Sequence, residues 1–360
     1  MNPLERCMAI LLAVAIIAAL CVCGSQPRQS PAPEETPAAS EPAPQEAGAD
    51  PEAPAVVTDA AGREVAIPDK AERVVVTCYG GATHEVAVLG AADKVAAQLD
   101  MKKFPLILKM FPRFDGLVDP GSFDNVNVEE IMKADPDMVL VAVRAKKGNA
   151  QLEEAGIPTY TMSVGWADID TLKQEFTNLG LLLGKREEAE KLTSYWDEKL
   201  HMVEEITARV PEEERKSVYY TGEQITAVGY SNWEWNWIRA VNGISAAEET
   251  PTGDISVEQA LEWNPDVVIV SKGGSTQEIL GDDRIQQMTA VKNGEVYSCP
   301  IGAFWWDRPS PESPLGFMWL AKTLYPAYTQ EIDLKKETKD FYREFYNYKL
   351  SDEEYQSFFA

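Results

Sequence analysis

Histidine is almost absent from this chain, with two residues in 360, and cysteine is scarce, with five. Three of those cysteines, Cys7, Cys21 and Cys23, lie in the first 23 residues. The remainder is too small a set for a zinc finger or a disulfide scaffold. Positive charge is also in deficit: 33 Lys and Arg face 58 Asp and Glu, giving a net charge of −25. A surface that acidic repels phosphate backbones at long range, so nucleic acid is excluded as a partner. No G-x-S-x-G occurs, and His84-Glu85 lacks the second histidine of an H-E-x-x-H zinc site. The chain is therefore not read as a hydrolase or any other enzyme, and neither a resident metal nor a cofactor is expected.

Long apolar runs are missing too, with one exception. From Cys7 to Cys23 every residue is apolar. That is shorter than the ~20 residues of a spanning helix but suits the core of a signal peptide. Leu20-Cys21-Val22-Cys23-Gly24-Ser25 resembles the bacterial lipobox, which points to lipid attachment at Cys23. Val22 stands where Gly, Ala or Ser is usual, so Cys21 or an uncleaved anchor stays an alternative. Residues 24–55 are rich in Pro, Ala, Glu, Gln and Ser, with no aliphatic side chain larger than alanine. Such a composition buries too little apolar surface to offset ordering entropy, so a flexible tether is expected.

Beyond Val56, short β-branched runs such as Arg73-Val-Val-Val-Thr77 alternate with helical patterns closed by glycine. This is an α/β signature. An internal echo organises it: Asn127-Val-Glu-Glu-Ile-Met-Lys-Ala-Asp-Pro-Asp-Met-Val-Leu-Val141 matches Ser256-Val-Glu-Gln-Ala-Leu-Glu-Trp-Asn-Pro-Asp-Val-Val-Ile-Val270. Each copy has a cap, a short helix, a Pro-Asp stop and an apolar run suited to a buried parallel strand. Two similar lobes are expected, at 56–185 and 211–360. Between them, Ala189, Leu192, Trp196, Leu200, Val203, Ile206 and Val210 step by threes and fours along one helix face. Roughly 25 residues at 186–210 would reach about 37 Å, enough to join the lobes. A second helix is expected over Ile169–Leu183, and terminal helices with an aromatic inner face follow Leu334.

The lipoprotein-like start, the opening TDAAGREVAIPDKAERVVV, the paired V-E-x-x-x-x-x-x-P-D-x-V repeats, the interlobe helix and the ending WLAKTLYP then FYREFYNYKLSDEEY together resemble one family. It is that of the substrate-binding proteins of ABC importers for ferric siderophores, haem, vitamin B12 and, in some members, molybdate or tungstate. The resemblance implies two Rossmann-like lobes held by a rigid helix, with ligand in the cleft between them. It implies a monomer, exported and lipid-anchored at the outer face of the cytoplasmic membrane, whose partners are an iron complex or related small molecule and an ABC permease. The first glutamates of the two repeats, Glu129 and Glu258, match the positions that pair with permease arginines in this family. An iron complex (ferric siderophore, haem or corrinoid) leads among ligands, with molybdate or tungstate second. A surface sensor or adhesin on the same fold is a further alternative.

Ligand contacts follow from a topological rule: crevices in open α/β sheets form beyond the carboxyl ends of strands. That selects Tyr79, Gly80 and Gly81 after the first strand, where glycine would let backbone N–H groups approach a ligand at a helix start. It also selects Arg144 and Lys272 after the repeat strands, either as two ligand-facing cations or as two solvated ones. Trp305, Trp306 and Arg308 occupy a Pro-rich loop without periodicity and are expected to form a ligand wall. Trp233, Trp237 and Val241 have helical spacing and are expected in the core. His84 and Tyr79 are of a type that could reach a haem iron, but a lone histidine opening a helix is more often a surface or capping residue. His201, in mid-helix, is expected to be structural, and Cys78 and Cys299 are expected as separate buried thiols.

Overall fold

The computed structural model describes residues 55–360 apart from 70, 80, 228–230 and 248–252. The apolar N-terminal run, Cys23, Cys21 and the tether lie outside the described residues, as does Gly80.

Eight strands, numbered here β1 to β8, form two four-stranded parallel sheets. The first holds β1 (Val74–Val76), β2 (Val95–Gln98), β3 (Met138–Ala142) and β4 (Thr159–Met162), in the order β2-β1-β3-β4. The second holds β5 (Ser217–Thr221), β6 (Ile244–Ser245), β7 (Val267–Val270) and β8 (Val296–Ser298), in the order β6-β5-β7-β8. All their pairings are parallel. The two sheets thus share one topology, and the sequence echo falls on equivalent parts of it. In the first copy Asn127 accepts a hydrogen bond from Glu130 N at 3.2 Å and caps the helix Val128–Lys133 that precedes β3. In the second, Ser256 accepts from Gln259 N at 3.1 Å and caps Val257–Trp263 before β7. A side-chain oxygen there satisfies one of the donors that a helix start leaves open.

The strands are apolar on both faces, as parallel strands flanked by helices must be. Val74, Val76, Leu140 and Ala142 of the first sheet point into one central cluster, and so do Val218, Tyr220, Val267 and Ile269 of the second. The alternate residues Val75, Val139 and Val141 face a smaller outer cluster, and Tyr219, Val268 and Val270 face another. The central core is therefore continuous from one sheet to the other.

The long helix, Arg186–Thr207, runs through this shared core. At 22 residues it spans roughly 33 Å, and Ala189, Leu192, Trp196, Leu200, Val203 and Ile206 are all buried along one face, as their spacing requires. It stops three residues short of the expected end, although Val210 stays buried in the following turn. Trp196 meets Phe176 of helix Ile169–Leu182 on one side, with ring centroids 5.7 Å apart. On the other it meets Trp233 at 6.5 Å and Phe317 of helix Ser313–Leu324 at 6.4 Å. Trp233, Trp237 and Val241 are buried as expected. His201 is not structural in the expected sense: it lies on the solvent side of the helix, 72% exposed, with Glu205 at 3.3 Å.

The C-terminal helices Leu334–Phe345 and Asp352–Ser357 cover the core with Phe341, Tyr342, Phe345 and Tyr355. Tyr342 and Tyr346 donate hydrogen bonds to the buried carboxyl group of Glu312 at 3.0 and 3.3 Å, and Trp306 Nε1 donates at 3.0 Å. Burial raises the Glu312 pKa to about 7 despite those donors.

The sign of the pH effect follows. An unfolded glutamate titrates near 4.5, so from about 4.5 up to about 7 the native state keeps a proton that the unfolded state has released. Stability contributed by Glu312 is complete below 4.5 and is lost as pH rises through 7. Glu175, also raised to about 7 by burial, acts in the same sense. His84, lowered to about 4 by burial, acts in the opposite sense, since the unfolded state takes up its proton first as pH falls. A variant comparison isolates one group: urea midpoints at pH 5 and 8 should differ less in Glu312→Gln than in the unmodified protein. Equal pH slopes would show that Glu312 does not titrate in this range.

Candidate functional site

The carboxyl ends of the strands converge on one cavity of about 160 Å³. From the first sheet come Tyr79 beyond β1, Arg144 beyond β3, Val164 and Gly165 beyond β4, and Phe123. From the second come Lys272 beyond β7, and Phe304, Trp305 and Arg308 beyond β8. Five predicted residues, Tyr79, Arg144, Lys272, Trp305 and Arg308, thus line the same space, as the strand-end rule requires.

Three cations stand around it, each against an aromatic ring. The Arg144 guanidinium carbon lies 4.8 Å from the centroid of Trp166, Lys272 Nζ lies 5.8 Å from that of Trp305, and the Arg308 guanidinium carbon lies 5.9 Å from that of Tyr220. Ring faces attract cations through their quadrupole. Arg144 and Lys272 are exposed, whereas Arg308 is buried. The second lobe's part is fixed by Asp307, itself buried, whose Oδ2 accepts from Tyr220 Oη at 2.8 Å and from Lys272 N at 2.8 Å. Burial pushes the Tyr220 phenol well above its ordinary range, with Arg308 opposing and Asp307 adding to the shift, so it stays a donor.

Four lining residues have left-handed backbones: Phe123 at φ 51°, Val164 at φ 33°, Gly165 at φ 74° and Lys272 at φ 54°. For a β-branched residue such as Val164 this is a genuine outlier. Strain of this kind persists only where neighbours enforce it. Phe123 is held by its N–H donating to Thr77 O at 2.9 Å. Ser163, just before Val164, donates its N–H to Glu175 Oε2 at 2.7 Å.

The structure departs from the sequence reading at three residues. Gly81 opens the seven-residue helix Ala82–Val88 at φ 100°, but it is buried against Pro309 O and Ser310, and borders a separate void of about 10 Å³ in place of this cavity. Trp306 does not face the cavity either. It is fully buried, donates to Glu312 and packs on Phe358 and Phe359 at 5.9 and 6.0 Å. His84 is a core residue, neither surface nor capping: 1% exposed, its Nε2 lies 2.8 Å from Ala303 O, which as a carbonyl can only accept. Its ring packs on Phe104 and Phe304 at 5.2 and 4.8 Å. Among the described residues no group of three or more metal-ligating side chains occurs.

Phe123, Val164, Gly165 and Asp307 were not singled out by sequence. The strand-end rule, applied to Thr159–Met162 as well, would have reached Val164 and Gly165. Glu129 and Glu258 lie outside the cavity, both exposed, at the second position of their capped helices. Glu129 pairs with Lys133 at 3.0 Å. The ionised form of Glu258 is favoured by hydrogen bonds from its own backbone N–H and from Ser256.

The periplasmic binding protein family matches residues 75–301. The molybdate-binding protein MolA of Haemophilus influenzae is 26% identical over 319 residues, covering 81% of this chain and 90% of MolA. The petrobactin-binding protein YclQ of Bacillus subtilis is 23% identical, covering 64% of this chain and 75% of its own. Among solved structures, a periplasmic solute binding protein from Veillonella parvula superposes with a TM-score of 0.73 at 26% identity, over 85% of this chain and 96% of that one.

Cys78 and Cys299, free and buried beyond β1 and β8, have thiol pKa values pushed well up by burial, with Glu175 and Glu85 adding for Cys78 and Asp307 for Cys299. Neither should be labelled by a thiol reagent at neutral pH in the native protein, and both should label fully in urea. Peptide mass mapping after labelling checks this, and native labelling of either would contradict its placement.

Proposed function

The chain belongs to the periplasmic binding protein family, and from that premise we propose that its cargo is a compact anion of the molybdate or tungstate class. It is a substrate-binding component of an ABC transporter, and its relatives are solute-binding proteins, not enzymes. The observation that carries the ligand reading is the cavity: three cations, Arg144, Lys272 and Arg308, around about 160 Å³. Pockets that engulf drug-sized molecules run from roughly 300 Å³ upward, so a compact anion would be enclosed here whereas much of a tetrapyrrole or a whole siderophore would project from the open cleft. Guanidinium groups suit oxyanions because their donors form a planar fork. In a protein of net charge −25, a cation cluster at the mouth of a cleft concentrates field where the ligand enters. The name of MolA agrees with this reading.

A second reading, the iron complex expected first from sequence, is favoured by the aromatic wall of Tyr79, Phe123, Phe304 and Trp305. An anionic ferric chelate would rest its ligand rings there. We read the chain as a signal segment (1–23), a tether (24–55), lobes at 56–185 and 211–360, and the joining helix, acting as an exported monomer held to the membrane through lipid on Cys23. Glu129 and Glu258 supply one exposed carboxylate per repeat as a two-point contact for permease cations.

Calorimetric titration with molybdate, tungstate, a ferric catecholate siderophore, haemin and cobalamin tests the ligand. Saturable binding of the two oxyanions, weakened about tenfold or more in Arg308→Gln, is the expected result. Binding of the ferric chelate alone would put the second reading first. For docking, replacing Glu129 and Glu258 together by alanine should abolish uptake in cells while ligand affinity in vitro stays unchanged. Normal uptake by the double variant would remove the docking role.

A further inference from the structure

The turn that follows β4 is strained, anchored on both sides, and ends in a tryptophan that the core does not take. Val164 and Gly165 are left-handed at φ 33° and 74°. Upstream, Ser163 is buried and tied to Glu175. Downstream, Ala167 is 1% exposed, and Asp168 caps helix Ile169–Leu182 by accepting from Thr171 N at 2.8 Å. Between those anchors Trp166 is 39% exposed, beside a cavity that its two predecessors line. A ring of that size at a cavity edge, two residues after Val164 with its costly left-handed backbone, points to function.

Its ring contacts Arg144, from the loop beyond the neighbouring strand β3, with the guanidinium carbon 4.8 Å from the ring centroid. We infer that Trp166 is a positioning residue of the binding site, holding the Arg144 guanidinium at the cavity edge for an anionic ligand. A carboxylate partner would orient Arg144 equally well, but it would take up two of the N–H donors and cancel the charge. A ring face fixes the plane of the guanidinium while leaving its donors for an oxyanion. Because the Arg144 side chain is exposed and rich in rotamers, the contact also lowers the entropy to be lost when an anion binds. The inference rests on the anionic-ligand reading above and deepens it.

The test is a double-mutant cycle in molybdate affinity using Trp166→Leu, Arg144→Gln and both together, with Trp166→Phe as the conservative control. Trp166→Leu should weaken binding about three- to tenfold, Trp166→Phe should recover much of the loss, and Trp166→Leu should cost nothing more once Arg144 is gone. Unchanged affinity in Trp166→Leu, or losses that simply add, would overturn the inference. A second arm needs no ligand. The Arg144 Nε–H resonance, assigned by its loss in Arg144→Gln, should carry a ring-current shift that disappears in Trp166→Leu. A resonance that does not move overturns the inference whatever binds. No molybdate binding by the unmodified protein, with the ring-current shift present, would sink the oxyanion reading and leave the Arg144 placement standing.

Discussion

The geometry of the cleft depends on one carboxyl group kept out of water. Glu312 is fully buried, and a buried carboxyl costs several kcal/mol unless donors are brought to it. The donors it recruits are Trp306 Nε1 and the phenols of Tyr342 and Tyr346. They bind the loop at residues 300–312 to the last helices of the chain. Tyr342 Oη also accepts from Ala303 N at 2.6 Å, while Ala303 O meets His84 from the first lobe's opening helix. Gly302 sits so close to this knot that a Cβ would lie 2.1 Å from Glu312 Oε2. Phe304, Trp305 and Arg308, three walls of the cavity, ride on the loop so fixed. Aromatic residues that sequence reads as packing are thus the support of the ligand wall.

The same economy governs charge. An acidic protein can display cations in a cleft only if its carboxylates are occupied elsewhere or held back. Asp307, the acid beside Arg308, spends one oxygen on a phenol and a backbone N–H, shaping the Lys272 turn. Glu85 and Glu175, buried in the first lobe, are pushed toward the protonated form by desolvation, to which the nearby Glu175 adds for Glu85 and which hydrogen bonds from Ser163 oppose for Glu175, so they add less negative field than their number suggests. Rings of Trp166, Trp305 and Tyr220 stand next to the three cations. Three cations thus gather at the cavity of a protein whose net charge is −25.

Much of this was legible in the sequence because it is periodic. The long helix shows itself through seven apolar residues spaced by threes and fours, of which the last, Val210, falls just beyond its end, and the repeat shows itself through cap, helix, Pro-Asp stop and strand, each a local rule. The strand-end rule located Tyr79, Arg144 and Lys272 without any coordinates. What periodicity could not resolve lies in irregular or fully buried segments. Trp305 and Trp306 are neighbours in a loop, and tertiary partners distinguish them: Trp306 turns inward to Glu312 and to Phe358 and Phe359 at the end of the chain. The helix Ala82–Val88 is buried on every side, so no polar face marked His84 as a core residue. Gly81 is covered by Pro309 and Ser310 from a loop more than two hundred residues away, a contact that no local pattern encodes. Val164 carries no sign of its left-handed backbone, because β-branched residues ordinarily avoid that region.

The continuous core sets a limit on motion, and through it on cargo. Trp196 is wedged between Phe176 on the first-lobe side and Trp233 and Phe317 on the other, and apolar faces of both sheets feed one cluster. Rotating one lobe away from the other would expose this surface at about 25 cal/mol per Å², so each 100 Å² uncovered costs about 2.5 kcal/mol. A hinge of this kind therefore bends little, unlike one made of extended loops. On the reading proposed above, a cleft so braced would accept ligands near its resting size or hold only the charged end of a larger one. Under the anionic-ligand reading, small volume, stiff support and convergent cations would act together: the first excluding bulk, the second keeping it excluded, and the third selecting the sign of charge.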